Sequence, residues 1–256
     1  MGWELFHRSA GEYERWYTTW RGRRADIAER TLLEWLLGHL PEARTVLEVG
    51  SGTGHFAGWL AESGFEVVGL DRAPAMLKEA RQSFPSLPFV LGDAHRLPFR
   101  TGAVDVVVFI TTLEFLEGAA TALREAVRVA HRGIVAIVLN RCSPGGLSRR
   151  YGPQSRRALL GQARDYSLSR LRRELREAAG DRLSALYWSS TLFPDGFWNQ
   201  MAHVALGDVL GIMAELKIVA RQSSASLAAS DQMADARDPV LGRRPTIGAR
   251  VSWPRK

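Results

Sequence analysis

The sequence predicts an α/β fold in which helices cover both faces of a mostly parallel sheet. Two observations support this prediction. Short apolar runs typical of buried strands alternate with helical patterns over the first 140 residues, and a glycine-rich turn follows the first of those runs. The chain of 256 residues is long enough to bury a large core of this kind.

The predicted elements begin with a helix over residues 25–40, whose apolar residues recur at helical spacing until Gly38 and Pro41 end it. The next strands are predicted at residues 45–49, 66–70, 89–91, 104–110 and 134–139, and the helices between them at 55–63, 74–83 and 119–130. The alternation stops after Asn140. Two later apolar runs, at residues 183–193 and 213–220, are the last predicted strands.

We expect three regions along the chain. Residues 1–40 form an N-terminal helical cap or lid, and residues 41–221 form the main domain, with an arginine-rich helical insertion at 141–180. Residues 222–256 are small, polar or basic and show no sustained period, so we expect a weakly ordered basic tail.

Composition and charge narrow the function classes. No apolar run approaches the ~20 residues that a membrane helix needs, and the N-terminus lacks the pattern of a secretion signal. Cys142 is the only cysteine, which excludes an intramolecular disulfide and a cysteine-cluster zinc site, so we expect no metal and a cytoplasmic protein. The net charge of +7 is concentrated in arginines between positions 141 and 176. We expect them to form a solvated helical face; a patch for an anionic substrate, nucleic acid or an acidic membrane surface is the alternative.

The segment with the clearest chemistry is the turn after the first strand, from Glu48 to Gly54. Gly50, Gly52 and Gly54 allow a positive φ and let a ligand approach the backbone, and the following helix presents free N–H groups. These features fit a nucleotide-type ligand. The spacing is G-x-G-x-G, whereas a dinucleotide fingerprint is G-x-G-x-x-G.

Acidic residues end the next two strands. Asp71 lies 21 residues after Gly50, where a carboxylate accepts ribose hydroxyls, and Asp93 follows the third strand. All these groups fall at the carboxyl ends of parallel strands, where open α/β sheets bind their ligands.

In combination, these motifs resemble class I S-adenosylmethionine-dependent methyltransferases, of the small-molecule type related to the ubiquinone and menaquinone methylating enzymes. The resemblance covers about residues 45–140. It implies a Rossmann-like three-layer sandwich, whose seven-stranded, mostly parallel sheet has one antiparallel strand. It also implies S-adenosylmethionine as the cofactor and a small molecule as the methyl acceptor.

The resemblance also implies roles for individual residues. Glu48 helps to hold the methionine ammonium group, the glycines pass beneath the cofactor, and Asp71 binds the ribose. Asp93 meets the adenine amino group, and the residues after the fourth strand border the methyl donor. The candidate cofactor-binding residues are Glu48, Gly50, Ser51, Gly52, Gly54, Asp71, Arg72, Asp93, Ala94 and Thr111.

The acceptor side is less defined. A general base is useful when the acceptor is a hydroxyl or an acidic carbon, and the candidates are His7, Tyr13, His95 and Glu114. Aromatic residues ahead of the first strand are candidates for a lid and an apolar acceptor pocket; packing on the core is the alternative. The candidate acceptor-binding residues are Tyr13, Trp16, Tyr17, Trp20 and Tyr187.

Three rival functions remain open. Asp71 also suits the ribose of a nicotinamide cofactor, which predicts an oxidoreductase, although the glycine spacing, Glu48 and Asp93 argue against it. A non-catalytic scaffold of the same fold is the second rival. The third keeps the methyltransferase but makes RNA or protein its acceptor, through the arginine-rich segment. The sequence does not name the acceptor or the oligomeric state.

Overall fold

A computed structural model describes residues 15–151, 163–192 and 201–218. The helices are α1 (Trp20–Leu37), α2 (His55–Glu62), α3 (Pro74–Ser83), α4 (Ala119–Val129), α5 (Pro144–Tyr151) and α6 (Leu168–Ala179). The strands are β1 (Thr45–Val49), β2 (Glu66–Asp71), β3 (Phe89–Leu91), β4 (Val104–Ile110), β5 (Ala130–Leu139), β6 (Leu183–Thr191) and β7 (Val209–Leu216). Short 3-10 turns follow β4 at Leu113–Phe115 and α6 at Gly180–Arg182.

The strands form one seven-stranded sheet in the order β3-β2-β1-β4-β5-β7-β6. The strands from β1 to β5 pair in parallel, whereas β7 runs antiparallel to both of its neighbours, β5 and β6. The predicted mostly parallel sheet with one antiparallel strand is therefore confirmed. The strand order reverses direction at β1, between β2 and β4, which is where open α/β sheets form a crevice for a ligand.

Helices cover both faces of the sheet, because the strands are apolar on both sides. β4 is buried along its whole length, with Val106 and Val108 on one face and Val107 and Phe109 on the other. The first face packs against α1, α2 and α3, and the second against α4 and α6. This is the pattern that parallel strands covered on two faces produce.

Helix α1 runs antiparallel to the parallel strands, from their carboxyl ends towards their amino ends. Leu32 packs on Gly211 of β7, which pairs with Ile137 near the end of β5. Leu40, just beyond the helix, packs on Gly133 near the start of β5. The N-terminal half of α1 therefore lies at the carboxyl edge of the sheet, beside the glycine turn.

Several element bounds differ from those predicted. α1 begins at Trp20 rather than residue 25, because the Thr19 hydroxyl accepts a hydrogen bond from the Gly22 N–H and caps the helix. β5 starts four residues earlier than predicted, at Ala130. β7 starts at Val209 and ends at Leu216, because its pairing runs between Leu139 and Gly133 of β5.

Some predictions concern residues outside the described ranges. They include the tail at 222–256, part of the arginine-rich segment, and Phe193 at the end of the predicted sixth strand. Among the described residues, no helix is both long and apolar enough to cross a membrane.

Candidate functional site

The turn after β1 depends on glycine at three positions. Gly50, Gly52 and Gly54 have φ angles of 79°, 53° and 84°, which L-residues with a side chain rarely adopt. A Cβ at Gly50 would lie 2.3 Å from the Thr112 side chain, so the turn fits closely against the residues after β4. The turn therefore leaves its backbone exposed to a ligand on one side and packed on the other.

Glu48 lies beneath this turn and is only 2% exposed. Its Oε2 atom is buried and has no hydrogen-bond partner in the part of the chain that the structure describes. Burial raises the pKa of Glu48 well above its usual value, and the nearby Asp71 raises it further, while the Ala57 N–H lowers it. A buried acid of this kind is stabilised by a positive charge placed beside it.

Asp71, at the end of β2, ties its strand to the glycine turn. One carboxylate oxygen accepts the Gly52 N–H at 2.8 Å, and the other accepts the Ala73 N–H at 2.7 Å. Burial raises the pKa of Asp71, although the N–H groups of Ala73, Gly52 and Arg72 oppose the shift. The carboxylate is thus held by backbone donors at the end of β2, where a carboxylate oxygen can also accept a ribose hydroxyl.

Asp93 and its neighbours form a small hydrogen-bonded group after β3. One Asp93 oxygen accepts the His95 N–H at 2.9 Å and contacts His95 Nδ1 at 2.6 Å, while Arg72 lies 3.5 Å from the other oxygen. His95 Nε2 lies 2.7 Å from the Glu117 carbonyl oxygen. Both ring nitrogens of His95 thus contact oxygen atoms of the protein, and its role as a general base stays a prediction. Ala94 is buried between these groups.

The residues after β4 also lie at the carboxyl edge of the sheet. Thr111 has a φ of 48°, and its N–H donates to the Ile137 carbonyl at 2.8 Å, which joins the ends of β4 and β5. Glu114 is 1% exposed, and one of its carboxylate oxygens accepts the Leu139 N–H. Glu114 is therefore held in place at the end of β5, among the other acids of this edge.

The predicted lid residues divide into two groups. Tyr17 is buried and stacks on the ring of His55, the residue directly after the glycine turn, with ring centroids 3.9 Å apart. Trp16 and Trp20 are 41% and 61% exposed. His7 and Tyr13 lie outside the described residues.

Tyr187 is not at this edge. It lies four residues before the end of β6, on the face covered by α1, and its ring centroid is 4.2 Å from that of His39, just beyond α1. Sequence alone did not show which face and which level of the sheet Tyr187 occupies, and its contact with the acceptor stays a prediction.

Sequence reasoning missed a charged group on α1. Asp26 Oδ1 accepts hydrogen bonds from Arg30 and His55, both at 2.7 Å, and joins α1 to the first residue of α2. Glu29, one turn along, is 5% exposed. The only signal in the sequence was an acidic residue within the apolar stripe of a predicted helix.

The edge as a whole is acidic. Five carboxyl groups lie along it, and among the described residues no three acidic, histidine or cysteine side chains are arranged to hold a metal ion. The carboxyls are those of Glu29, Glu48, Asp71, Asp93 and Glu114. Such an edge fits a ligand with positive charges and disfavours one with a pyrophosphate at the turn.

Comparison with known proteins supports a specific family. Residues 47–138 match the family model of a methyltransferase domain. The chain is 37% identical over 108 residues to a demethylmenaquinone methyltransferase of Beutenbergia cavernae, which covers 42% of this chain and 45% of that protein. It is 32% identical over 132 residues to a malonyl-[acyl-carrier protein] O-methyltransferase of Serratia marcescens, covering 52% of this chain and 49% of that protein.

A solved structure extends the likeness over more of the chain. It is a SAM-dependent methyltransferase of Thermotoga maritima, described as a possible histamine N-methyltransferase. It is 26% identical to this chain with a TM-score of 0.70, and it covers 85% of this chain and all of that protein. Residues 47–138 thus match a methyltransferase domain, and most of the chain is similar in fold to a SAM-dependent methyltransferase.

The methyltransferase match is confined to one part of the molecule. The family model covers the glycine turn and the ends of β2, β3 and β4, but not α1. The chain spans less than half the length of these two curated relatives. The acceptor side therefore has to be argued from this chain's own residues.

Proposed function

We propose that the protein transfers the methyl group of S-adenosylmethionine to a small-molecule acceptor by in-line displacement. The observation that supports this best is Glu48, a buried carboxylate with one unpartnered oxygen beneath the glycine turn. S-adenosylmethionine carries a positive ammonium and a positive sulfonium, whereas a nicotinamide dinucleotide carries an anionic pyrophosphate. The Glu48 carboxyl beneath the turn favours the first and disfavours a pyrophosphate at that place.

The remaining cofactor contacts follow from the same edge. Glu48 would hold the ammonium group, and Asp71, which the Gly52 and Ala73 N–H groups hold in place, would accept the ribose hydroxyls. Asp93 and Ala94 would border the adenine, with Arg72 beside them. The positive φ of the three glycines would allow the cofactor to lie directly on the backbone.

Methyl transfer from S-adenosylmethionine does not require a covalent intermediate with the protein. S-adenosylmethionine supplies an activated methyl group when it is bound. The protein's residues would align the acceptor with that group and keep water out, which accounts for much of the rate in displacements of this kind. Thr111 and Glu114 would border the acceptor, and the N-terminal segment with Trp16 and Tyr17 would act as a lid.

A small acceptor is favoured over RNA or protein. On α6, Arg170 pairs with Glu174 at 2.8 Å and Arg173 pairs with Glu177 at 3.8 Å, which reduces the positive field of the arginine-rich segment. The relatives named above are called after demethylmenaquinone, malonyl-acyl-carrier protein and histamine. These names span different acceptor chemistries and select none for this chain.

The experiment that tests this function uses S-adenosylmethionine labelled in its methyl group. The purified protein is incubated with a small-molecule fraction, total RNA or a protein extract, and the label and the S-adenosylhomocysteine formed are measured. We expect label in the small-molecule fraction, and none with a Glu48→Gln variant that retains its fold. Label confined to RNA or protein would replace the small-molecule acceptor, and no S-adenosylhomocysteine in any arm would contradict methyl transfer.

A further inference from the structure

The turn ahead of α1 is anchored to the domain through a single buried side chain. Within residues 15–19, Tyr17 is buried and its four neighbours are exposed. The Thr19 hydroxyl donates to the Trp16 carbonyl oxygen at 2.7 Å, which keeps this turn compact. A compact turn that buries one ring detaches when that ring leaves its partner, because few other apolar contacts have to be broken.

Gly22 lets this turn fold back onto α1. A Cβ at Gly22 would lie 2.0 Å from the Trp16 carbonyl oxygen and 2.9 Å from the Tyr17 Cα atom. The Arg23 guanidinium also donates to the Thr18 carbonyl oxygen at 2.7 Å. Glycine is a poorer helix former than alanine, and the close approach explains why it is needed in the first turn of α1. The chain thus spends helix propensity on fixing the position of Tyr17.

A polar group on α1 fixes the ring against which Tyr17 packs. The Tyr17 and His55 rings are nearly parallel, at 13°, with centroids 3.9 Å apart. At the edge of the imidazole, Nε2 lies 2.7 Å from Asp26 Oδ1 and 3.0 Å from Arg30 Nη2. Arg30 Nε in turn donates to the same Asp26 oxygen at 2.7 Å. An apolar side chain would pack against Tyr17 equally well, so packing alone does not explain a charged group at this place.

The contact of Tyr17 with His55, here called the clasp, lies at the proposed cofactor site. His55 begins α2 directly after Gly54, the last glycine of the turn. The Ala57 N–H, two residues further along α2, bonds the Glu48 carboxyl group. The clasp and the acid that would hold the ammonium group therefore share the first turn of α2.

We propose that the clasp is a gate for cofactor exchange, with Asp26 and His55 as positioning residues. The cofactor enters and leaves when Tyr17 leaves His55, and the closed segment covers the methionine end of the site during methyl transfer. This inference rests on the function proposed above, because it assigns the regulation of the same cofactor site. Closure of this kind excludes water from the reacting groups.

A gate changes rates more than affinity. When only the open form exchanges ligand, the association and dissociation rates both scale with the open fraction of the molecules. A substitution that loosens the clasp therefore raises both rates, and their ratio changes less than either. A side chain that only contacts the cofactor behaves differently, because its loss raises the dissociation rate alone.

The test measures both rates for S-adenosylhomocysteine by surface plasmon resonance on the immobilised full chain. His55→Ala removes the ring beneath Tyr17. Gly22→Ala displaces the turn from the other side, leaves every proposed cofactor contact intact and favours the helix itself. The control is Glu34→Gln, which alters an exposed glutamate on the same helix. Circular dichroism and Tm check that each variant is folded.

We expect His55→Ala and Gly22→Ala each to raise the association and dissociation rates at least tenfold. The dissociation constant should change less than threefold, and Glu34→Gln should match the wild type in both rates. The two substitutions act on opposite sides of the clasp, so either folded variant is sufficient for the test.

Two results overturn the gate while leaving the proposed function intact. One is a folded variant of either kind with wild-type rates. The other is a rise in the dissociation rate alone, which would make the clasp a cofactor contact and not a gate. Failure of the wild type to bind S-adenosylhomocysteine is a separate result, and it contradicts the proposed function itself.

Discussion

The glycine turn after β1 and the N-terminal half of α1 lie at the same edge of the sheet, yet they hold their acids in different ways. Asp71 and Asp93 accept N–H groups from residues two positions further along the chain, Ala73 and His95. Glu29 has no such local partner, and Glu114 is held by Leu139, 25 residues away. Asp71 also accepts the N–H of Gly52, 19 residues earlier. The first two acids therefore each have a local partner, whereas Glu29 and Glu114 are placed by packing between distant elements.

The family match covers the glycine turn and the ends of β2 and β3, here called the cofactor half, but not the N-terminal half of α1 with Glu29, here called the α1 half. Local turns require particular residues at fixed spacing, so the cofactor half is visible as a sequence motif. Glu29 lies outside the match, in a helix whose apolar stripe has no such fixed motif.

We expect the largest effect from a substitution in the glycine turn, which should impair cofactor binding alone. Gly50→Ala forces a side chain at φ 79° and places a Cβ 2.3 Å from Thr112, so we expect S-adenosylmethionine binding to fall at least a hundredfold. Gly64→Ala is the matched control, because Gly64 also has a positive φ of 94° but open space around its Cβ. It should lower Tm slightly and leave the dissociation constant unchanged. Equal binding by both variants, measured by calorimetry, would contradict the close approach at Gly50.

The next largest effect is expected from the loss of one carboxylate, that of Asp71. Asp71→Ala should weaken S-adenosylmethionine binding at least tenfold while the protein stays folded, because the ribose acceptor and the bonds to Gly52 and Ala73 are lost. Asp181→Ala changes an exposed aspartate and serves as the control. Circular dichroism checks the fold. A folded Asp71→Ala protein with wild-type affinity would remove the ribose site from this position.

The third prediction concerns pH and the α1 half. Burial raises the pKa of Glu29 to about 8, so between about pH 5 and 8 the folded state keeps a proton that the unfolded state has lost. The contribution of Glu29 to stability therefore falls as pH rises through this window. Glu29→Gln should have a Tm advantage over wild type that grows from pH 5 to pH 8, by ~2–4 °C for each kcal/mol.

Glu34→Gln is again the control for this scanning calorimetry, and its Tm should follow that of wild type at every pH. If Glu29→Gln and wild type show the same dependence of Tm on pH, the carboxyl of Glu29 is not held protonated by burial.

The smallest expected effect concerns the lid. Trp16 is 41% exposed, whereas Tyr17 is packed on His55. We expect Trp16→Ala to lower kcat/KM for the acceptor severalfold and to leave cofactor affinity unchanged. The exposed Ile27→Ala on α1 should change neither. A Trp16→Ala protein that loses cofactor affinity but keeps acceptor turnover would remove the lid.

The same contrast separates what the sequence predicted from what it did not. The strands and the positive-φ glycines follow from local patterns, and the structure confirms them in sequence order. The end of β7 was misplaced because Ile218 continues the apolar pattern, whereas pairing with β5 and β6 ends at Leu216. The position of Tyr187 could not be predicted for a related reason, since the face and level of a strand residue depend on its partners in the sheet.

His95 and Glu29 show the same limit for side chains. The sequence placed His95 near Asp93 but gave no sign that Glu117, 22 residues on, occupies its other nitrogen. Glu29 lies within an apolar helical stripe, and nothing in the sequence showed that its carboxyl group would be buried beside other acids. Its chemistry depends on Glu114, which the fold brings close from a different element.

The central claim is that this edge of the sheet is built for a cationic cofactor. The most direct measurement is a side-by-side calorimetric titration of the purified protein with S-adenosylmethionine, S-adenosylhomocysteine and NAD. The account predicts micromolar binding of the first two and none of NAD, with the S-adenosylmethionine affinity lost in Glu48→Gln. Binding of NAD alone would contradict the claim and favour an oxidoreductase, and binding of none of the three would favour a scaffold that uses no cofactor.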